Sequence, residues 1–398
     1  MTEQINYNEI LVHDEHDRPM YSKSILSQSI PSLLISLIGF TIAGIYLEEA
    51  NGTKLFLVYP LLLVATCILS FKGNIELIFA MHLSSISNVY SPVIEYARFA
   101  IDNACMVVVQ SIIIGLSVGL VGMSVVIIRF ENAFRYAVIT LCSCLVSCLV
   151  STLVVLLILL AAVLLFQNLQ INPDNVVLPS IAAFSDYFTV LSLIFFFKLF
   201  HQMQSVTICA TTIFLILFVV PFIIQVSRRS PAILPIQSLT LLIITFVLSS
   251  ISGMLIEYFS IMYPFLASSA PVFCGLTGST SFIYLNRKLT SLYTKQPHNK
   301  KASLFSLLII SLAMSLTYII ISNTLFEKLP NMFSFLFIIC FLVDVLLLIE
   351  LVDCILSRFQ RSVEMAGVVA LPLITSTADF FGSFFLVAIV LLMSFVNK

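Results

Sequence analysis

Residues 136–166 read YAVITLCSCLVSCLVSTLVVLLILLAAVLLF, a run without one charged side chain. A bilayer core about 30 Å thick is crossed by about 20 helical residues. An unbroken apolar run of this length satisfies its backbone internally as a helix, whereas a barrel strand would alternate over about ten residues. Comparable runs lie at 30–47, 55–71, 104–128, 176–197, 205–227, 233–256, 259–285, 303–322, 331–357 and 367–396, which brings the expected membrane-spanning helices to eleven. The run at 55–71 is expected to continue as helix past Lys72, because Ile75 to Met81 is again apolar. The fold class is an all-α polytopic membrane protein.

Composition points the same way. Of 398 residues, 60% are hydrophobic and 10% charged, and the mean hydropathy is +1.10; a water-soluble domain carries about 25% charged residues. The formal net charge of −1 leaves no basic excess for nucleic acid. Nine cysteines lie in or beside apolar runs with no CxxC pair, and five scattered histidines show no ligand spacing, so neither a disulfide frame nor a zinc or other transition-metal site is expected. The first 29 residues are polar and acidic, which reads as a short tail rather than a signal peptide. Counted over alternate connections, thirteen Lys and Arg fall on the side of the N-terminus and six on the other, so that tail is expected to be cytoplasmic.

The chain repeats itself. Gln28-Ser29, Gly44 and Glu48 recur 209 residues later as Gln237-Ser238, Gly253 and Glu257. Tyr59-Pro60 recurs as Tyr263-Pro264, Gly73 as Gly278, and the pair Pro179 and Asp186 as Pro372 and Asp379. The order is kept while the offset drifts from 209 to 193, as differing loop lengths would produce. The division expected is a tail at 1–29, a first five-helix repeat at 30–200, a linker helix at 201–230 and a second five-helix repeat at 231–398. Five spans per half would invert the second copy. The linker helix restores its orientation, so the halves are expected to be parallel and related by a pseudo-two-fold axis along the membrane normal, with a pathway at their interface.

One carboxylate sits inside the fifth span of each half, Asp186 in the first and Asp379 in the second. An intramembrane acid is costly and is by default a functional-site hypothesis; the plainer reading is that each caps a broken helix. Seven residues make nearly two helical turns, so Pro179 and Pro372 share a face with their Asp. Small side chains dominate this span, including Ser185 and Thr189 in one half and Thr375, Ser376 and Ser383 in the other. The second span of each half carries Lys72-Gly73-Asn74-Ile75-Glu76 and Gly278-Ser279. Its glycines permit close approach, and Asn74 or Ser279 could take hydrogen bonds from an ion's water shell. Lys72 and Glu76, four apart, could simply pair with each other. In the run at 331–357, Glu350 and Asp353 read as a helix end paired with Arg358 and Arg361, whereas Asp344, near its middle, reads as an additional cation or proton site.

Oxygen ligands, few carboxylates and nearby hydroxyls suit a hard cation. Mg2+ sheds water reluctantly and is usually held by one or two carboxylates. At these residues the sequence resembles a known family. Lys72-Gly73-Asn74-Ile-Glu76, Ala80-Met-His-Leu-Ser84-Ser85, and Asn172-Pro173-Asp174-Asn175 followed by Pro179 and Asp186 resemble the first repeat of solute carrier family 41, the eukaryotic relatives of the bacterial MgtE magnesium channels, and Pro271 to Gly278 with Pro372 to Asp379 is similar to the second. The resemblance implies a monomer that does what two MgtE subunits do, with the second and fifth helices of each half lining the path, Gly73, Glu76 and Gly278 among the lining residues, and Asp186 and Asp379 binding Mg2+ as the transported substrate. Asp174 joins Asp344 as a candidate additional acidic site. Ser279 stands where the pattern leads one to expect Asn, and Glu364-Met-Ala-Gly367 replaces the acidic turn before the fifth span.

Three functions remain open from the sequence. A divalent-cation transporter, channel or Na+-coupled exchanger, is favoured, and it is not an enzyme. A carrier for another solute keeps the same fold. An intramembrane aspartyl protease would also use two Asp, but Ser185-Asp186 and Ala378-Asp379 lack its Tyr-Asp and Gly-x-Gly-Asp motifs.

Overall fold

The structure is a computed structural model; it describes residues 25–87, 93–131, 133–168, 173–228, 239–294, 299–325, 329–358 and 363–396. Most of the expected tail lies outside this set, as do Gln237, Ser238, Arg361 and the side chains of Asp174 and Pro179. Among the described residues the chain is all helix: α1 Ile25–Asn51, α2 Leu61–Ser87, α3 Val93–Arg129, α4 Phe134–Asn168, α5 Pro173–Gln202, α6 Ser205–Arg228, α7 Leu239–Ser260, α8 Phe265–Thr294, α9 Lys300–Leu325, α10 Asn331–Arg358 and α11 Val363–Val396.

Among the described residues, nine of these helices are long and apolar enough to cross a membrane. The other two have specific causes. In α7 the described apolar segment is short, Ile244–Ser260. In α8 the stretch Gly275, Thr277, Gly278, Ser279, Thr280 and Ser281 replaces apolar side chains with glycine and hydroxyls. The run expected at 259–285 is also divided: residues 261–264 form the connecting turn, with Met262 and Tyr263 donating to the Phe259 carbonyl at 3.1 and 3.0 Å, before α8 starts at Phe265.

Packing within each set of five helices follows one scheme. α1 packs on α5, and α7 on α11; α3 on α4, and α9 on α10; α4 on α5, and α10 on α11. Between the sets, α1 packs on α8 and α2 on α7. Glycine makes both crossings close. A Cβ on Gly44 would overlap the Ser268 carbonyl, and one on Gly253 would lie 2.9 Å from the Leu63 carbonyl oxygen. Gly44 and Gly253 are 209 apart and Leu63 and Ser268 are 205 apart, the offsets read in the sequence. At a third matched pair, Ser249 donates to Ser70 at 2.7 Å, while the Phe40 ring lies over Gly275.

The remaining helix, α6, packs on α3 and α4. It exposes Ile213, Phe214, Leu217 and Phe218, side chains that suit contact with lipid. No disulfide occurs, and all nine cysteines are free.

Candidate functional site

A cavity of about 110 Å³ lies among α1, α2, α5, α7, α8 and α11. On α2 it is lined from Leu62 to Leu77 and on α8 from Ala267 to Phe282. At 1.5 Å per residue each lining stretch is about 22 Å long. A water needs roughly 10–15 Å³ of such volume, so the cavity has room for several.

Eight of the residues singled out in the sequence meet on this surface: Asp186, Asp379, Asn74, Ser279, Gly73, Gly278, Thr375 and Ser383. Both Asp side chains are partly accessible. Asp186 sits over Gly73, where an added Cβ would lie 4.0 Å from Oδ1; at the matching place Gly278 faces Ala378, at 3.7 Å. Gly73 therefore leaves the space that the Asp186 carboxylate borders. Three groups surround Asp379: Ser70 stands beside its carboxylate, Ser252 donates to its carbonyl at 2.9 Å, and Cys274 Sγ lies 3.9 Å from that carbonyl. Thr375 donates to Asn74 Oδ1 across the two sets of helices, which leaves the Asn74 amide nitrogen buried without a partner. Turning the amide by 180° would exchange nitrogen and oxygen and present an acceptor to the cavity.

Four expected lining residues sit elsewhere. Glu76 and Ser185 form a buried group with Lys72, behind the cavity: Lys72 Nζ is 2.6 Å from Glu76 Oε1 and donates to Ser185 Oγ at 2.9 Å, and Ser185 donates to Glu76 Oε2. Thr189 returns its hydroxyl to the Ser185 carbonyl at 2.7 Å and Ser376 to the Pro372 carbonyl at 2.8 Å. Hydroxyls on a helix commonly satisfy themselves this way, and the sequence cannot say which will. Lys72, counted as a connecting-loop cation, is instead near the middle of α2 and 2% exposed; twelve cations then remain on the N-terminal side. Among the described residues, Glu350 and Asp353 do not pair with Arg358. Lys300 lies 2.9 Å from Glu350 and 2.6 Å from Asp353, and Lys288 and Tyr284 complete the Asp353 contacts. Cations from α8 and α9 thus take the place expected of the arginines nearer in sequence.

Asp344 is fully buried and does not line the cavity. Among the described residues no group of three or more His, Cys, Asp or Glu could hold a metal, so protein carboxylates at the cavity number two. Sequence reading missed Ser70. It lies one turn before Asn74 on the same face of α2, and that spacing is the signal that could have found it.

A family model described as MgtE, divalent cation transporter, matches residues 65–197, a stretch that includes Gly73, Asn74 and Asp186. Solute carrier family 41 member 2 of Gallus gallus is 23% identical over 427 residues, covering 94% of this chain and 72% of that protein. The chain is thus similar to an MgtE model over about a third of its length and to solute carrier family 41 members over most of it. Member 2 of Mus musculus is likewise 23% identical, over 94% of this chain and 72% of its own length. Member 3 of Rattus norvegicus is 23% identical over 66% of this chain, and the match spans 58% of that relative. No solved structure matches. The matched family is described as one of divalent cation transporters, which speaks for transport over the aspartyl-protease reading.

Proposed function

We propose that this chain moves Mg2+, or another divalent cation, across a membrane through the cavity between two parallel five-helix repeats, α1 to α5 and α7 to α11, joined by α6. The observation that carries this reading is the convergence of Asp186 and Asp379, which occupy matching places in the sequence, on one cavity lined by both sets of helices. A divalent ion relieves the repulsion between two carboxylates that share a low-dielectric site. Room for several waters suits an ion that keeps part of its shell. Asn74, Ser279, Thr375 and Ser383 supply amide and hydroxyl groups for those waters. The family match to divalent cation transporters supports the substrate class.

Lys72 does not cancel this charge, since Glu76 pairs with it directly. The cavity therefore keeps two carboxylates for the ion. On the Lys and Arg count the N-terminus is cytoplasmic, and a single chain supplies both halves of the pathway.

Mg2+ uptake into proteoliposomes tests the reading. Asp186→Ala and Asp379→Ala are each expected to abolish divalent-dependent flux while the protein stays folded, and unchanged flux in both variants would overturn the site. Repeating the assay with and without a Na+ gradient separates a channel from an exchanger.

A further inference from the structure

Asp344 is 0% exposed, and neither of its carboxylate oxygens has a hydrogen-bond partner. It sits on α10, which packs on α8, α9 and α11. The Thr277 hydroxyl of α8 is beside it but donates to the Cys274 carbonyl at 3.2 Å. Cys274, which lines the cavity, is also within its electrostatic range. Asp379 of α11 and, on its own helix, Cys340 are likewise within its electrostatic range. The titratable groups of α9 are engaged elsewhere or exposed: Lys300 with Glu350 and Asp353, Tyr318 with Ser269, and Lys301 at the surface. No described cation pairs with Asp344.

The other half shows what this position lacks. Cys144 and Cys148 recur as Cys340 and Asp344 at an offset of 196, between the 205 of α2 and α8 and the 193 of α5 and α11. By the same register Lys72 corresponds to Thr277. Cys148 stands within electrostatic range of Lys72 and Glu76, as Asp344 stands beside Thr277. The first half thus holds a compensated ion pair one layer behind the cavity, and the second holds an uncompensated acid. A dry carboxylate with no partner needs a cation of its own. Asp344 has no accessible surface at which a hydrated ion could bind, so the cation that fits is a proton.

We propose that Asp344 is a proton-binding site linked to the cavity, so that a divalent cation arriving at Asp379 releases the proton and its departure takes the proton back. The proposal rests on the cavity being the ion site. On release the carboxylic O–H bond breaks, its electron pair stays on oxygen and the proton passes to water. The incoming positive charge favours the Asp344 anion, and the Thr277 hydroxyl can turn from the Cys274 carbonyl to donate to it. By linkage, binding one partner changes the affinity for the other by the same factor.

Calorimetric titration of Mg2+ into the purified full chain, in buffers of different ionisation enthalpy, counts both ions bound and protons released. The wild type is expected to release more protons per Mg2+ than Asp344→Asn, by up to one. Equal release by the two would overturn the linkage even if Mg2+ binds. Absence of Mg2+ binding would overturn the cavity reading, and the linkage with it. If Asp344→Asn does not fold, Mg2+-induced infrared difference spectra of wild type and Asp344→Glu decide. A carboxylic C=O band lost on Mg2+ addition and shifted in the Glu variant is expected; an unshifted or absent band overturns the proposal.

Discussion

Thr375 of α11 donates its hydroxyl to the side-chain oxygen of Asn74 on α2, a residue 301 positions earlier. This contact crosses between the two sets of five helices on the cavity surface. An Asn74→Cys and Thr375→Cys pair is therefore expected to cross-link efficiently with a short bifunctional thiol reagent in the otherwise cysteine-free protein, and to lose Mg2+ flux when linked. Cross-linking would be read on a gel after cleavage of the chain in the α6–α7 connection. Failure to link would contradict the packing of α2 beside α11.

Ser70 stands beside the Asp379 carboxylate and accepts from Ser249 at 2.7 Å, which leaves its own hydroxyl hydrogen for that carboxylate or an ion's water shell. A hydrogen bond to a charged group contributes about 1.5–3 kcal/mol. Ser70→Ala is expected to raise the half-saturating Mg2+ concentration by roughly tenfold or more on that scale, with maximal flux less affected. Ser249→Ala, one step further from the carboxylate, should have a smaller effect. Concentration-dependent uptake measures both, and a larger effect of Ser249→Ala would contradict the assignment.

Lys72 and Glu76 form an ion pair with both side chains about 3% exposed or less. Removing one partner of a buried pair costs about 3–5 kcal/mol, because the other charge is left uncompensated, whereas replacing both with apolar groups is often neutral. Lys72→Met is expected to lower the thermal midpoint clearly, and Lys72→Met with Glu76→Met to restore most of it. A double variant no more stable than the single one would show that the pair is not coupled.

Gly44→Ala places a methyl group on the Ser268 backbone, which cannot move aside as a flexible side chain would. The same change at Gly278 meets ordinary contact at 3.7 Å. Gly44→Ala should therefore destabilise the protein by more than Gly278→Ala, on the scale of about 1–3 kcal/mol for overpacking. Denaturation in detergent gives the comparison, and the reverse order would contradict the close α1–α8 crossing.

The helical fold was legible because uninterrupted apolar runs admit one solution in a bilayer, and the two Asp stood out because their cost there is high. What the sequence could not supply was direction across helices. Lys72 interrupts an apolar run and falls into the count of connection cations, yet Glu76 one turn on and Ser185 from α5 let it sit buried inside α2. Thr189 and Ser376 resemble Thr375 and Ser383 in the sequence, but only the last two line the cavity, while the hydroxyls of the first two return to their own backbone away from it. Glu350 and Asp353 find cations about 50 to 65 positions away rather than the nearby arginines. Such choices are made by packing partners distant in the chain, and no local pattern encodes them.

Everything proposed for transport turns on a divalent ion sitting between Asp186 and Asp379. Crystals of the full chain soaked in Mn2+, an oxygen-ligated divalent probe, locate that ion through anomalous scattering. One strong anomalous peak is expected in the cavity, within coordination distance of at least one of the two carboxylates and absent from the Asp186→Ala, Asp379→Ala double variant. Peaks confined to the surface, or a cavity peak that survives that double variant, would refute the site.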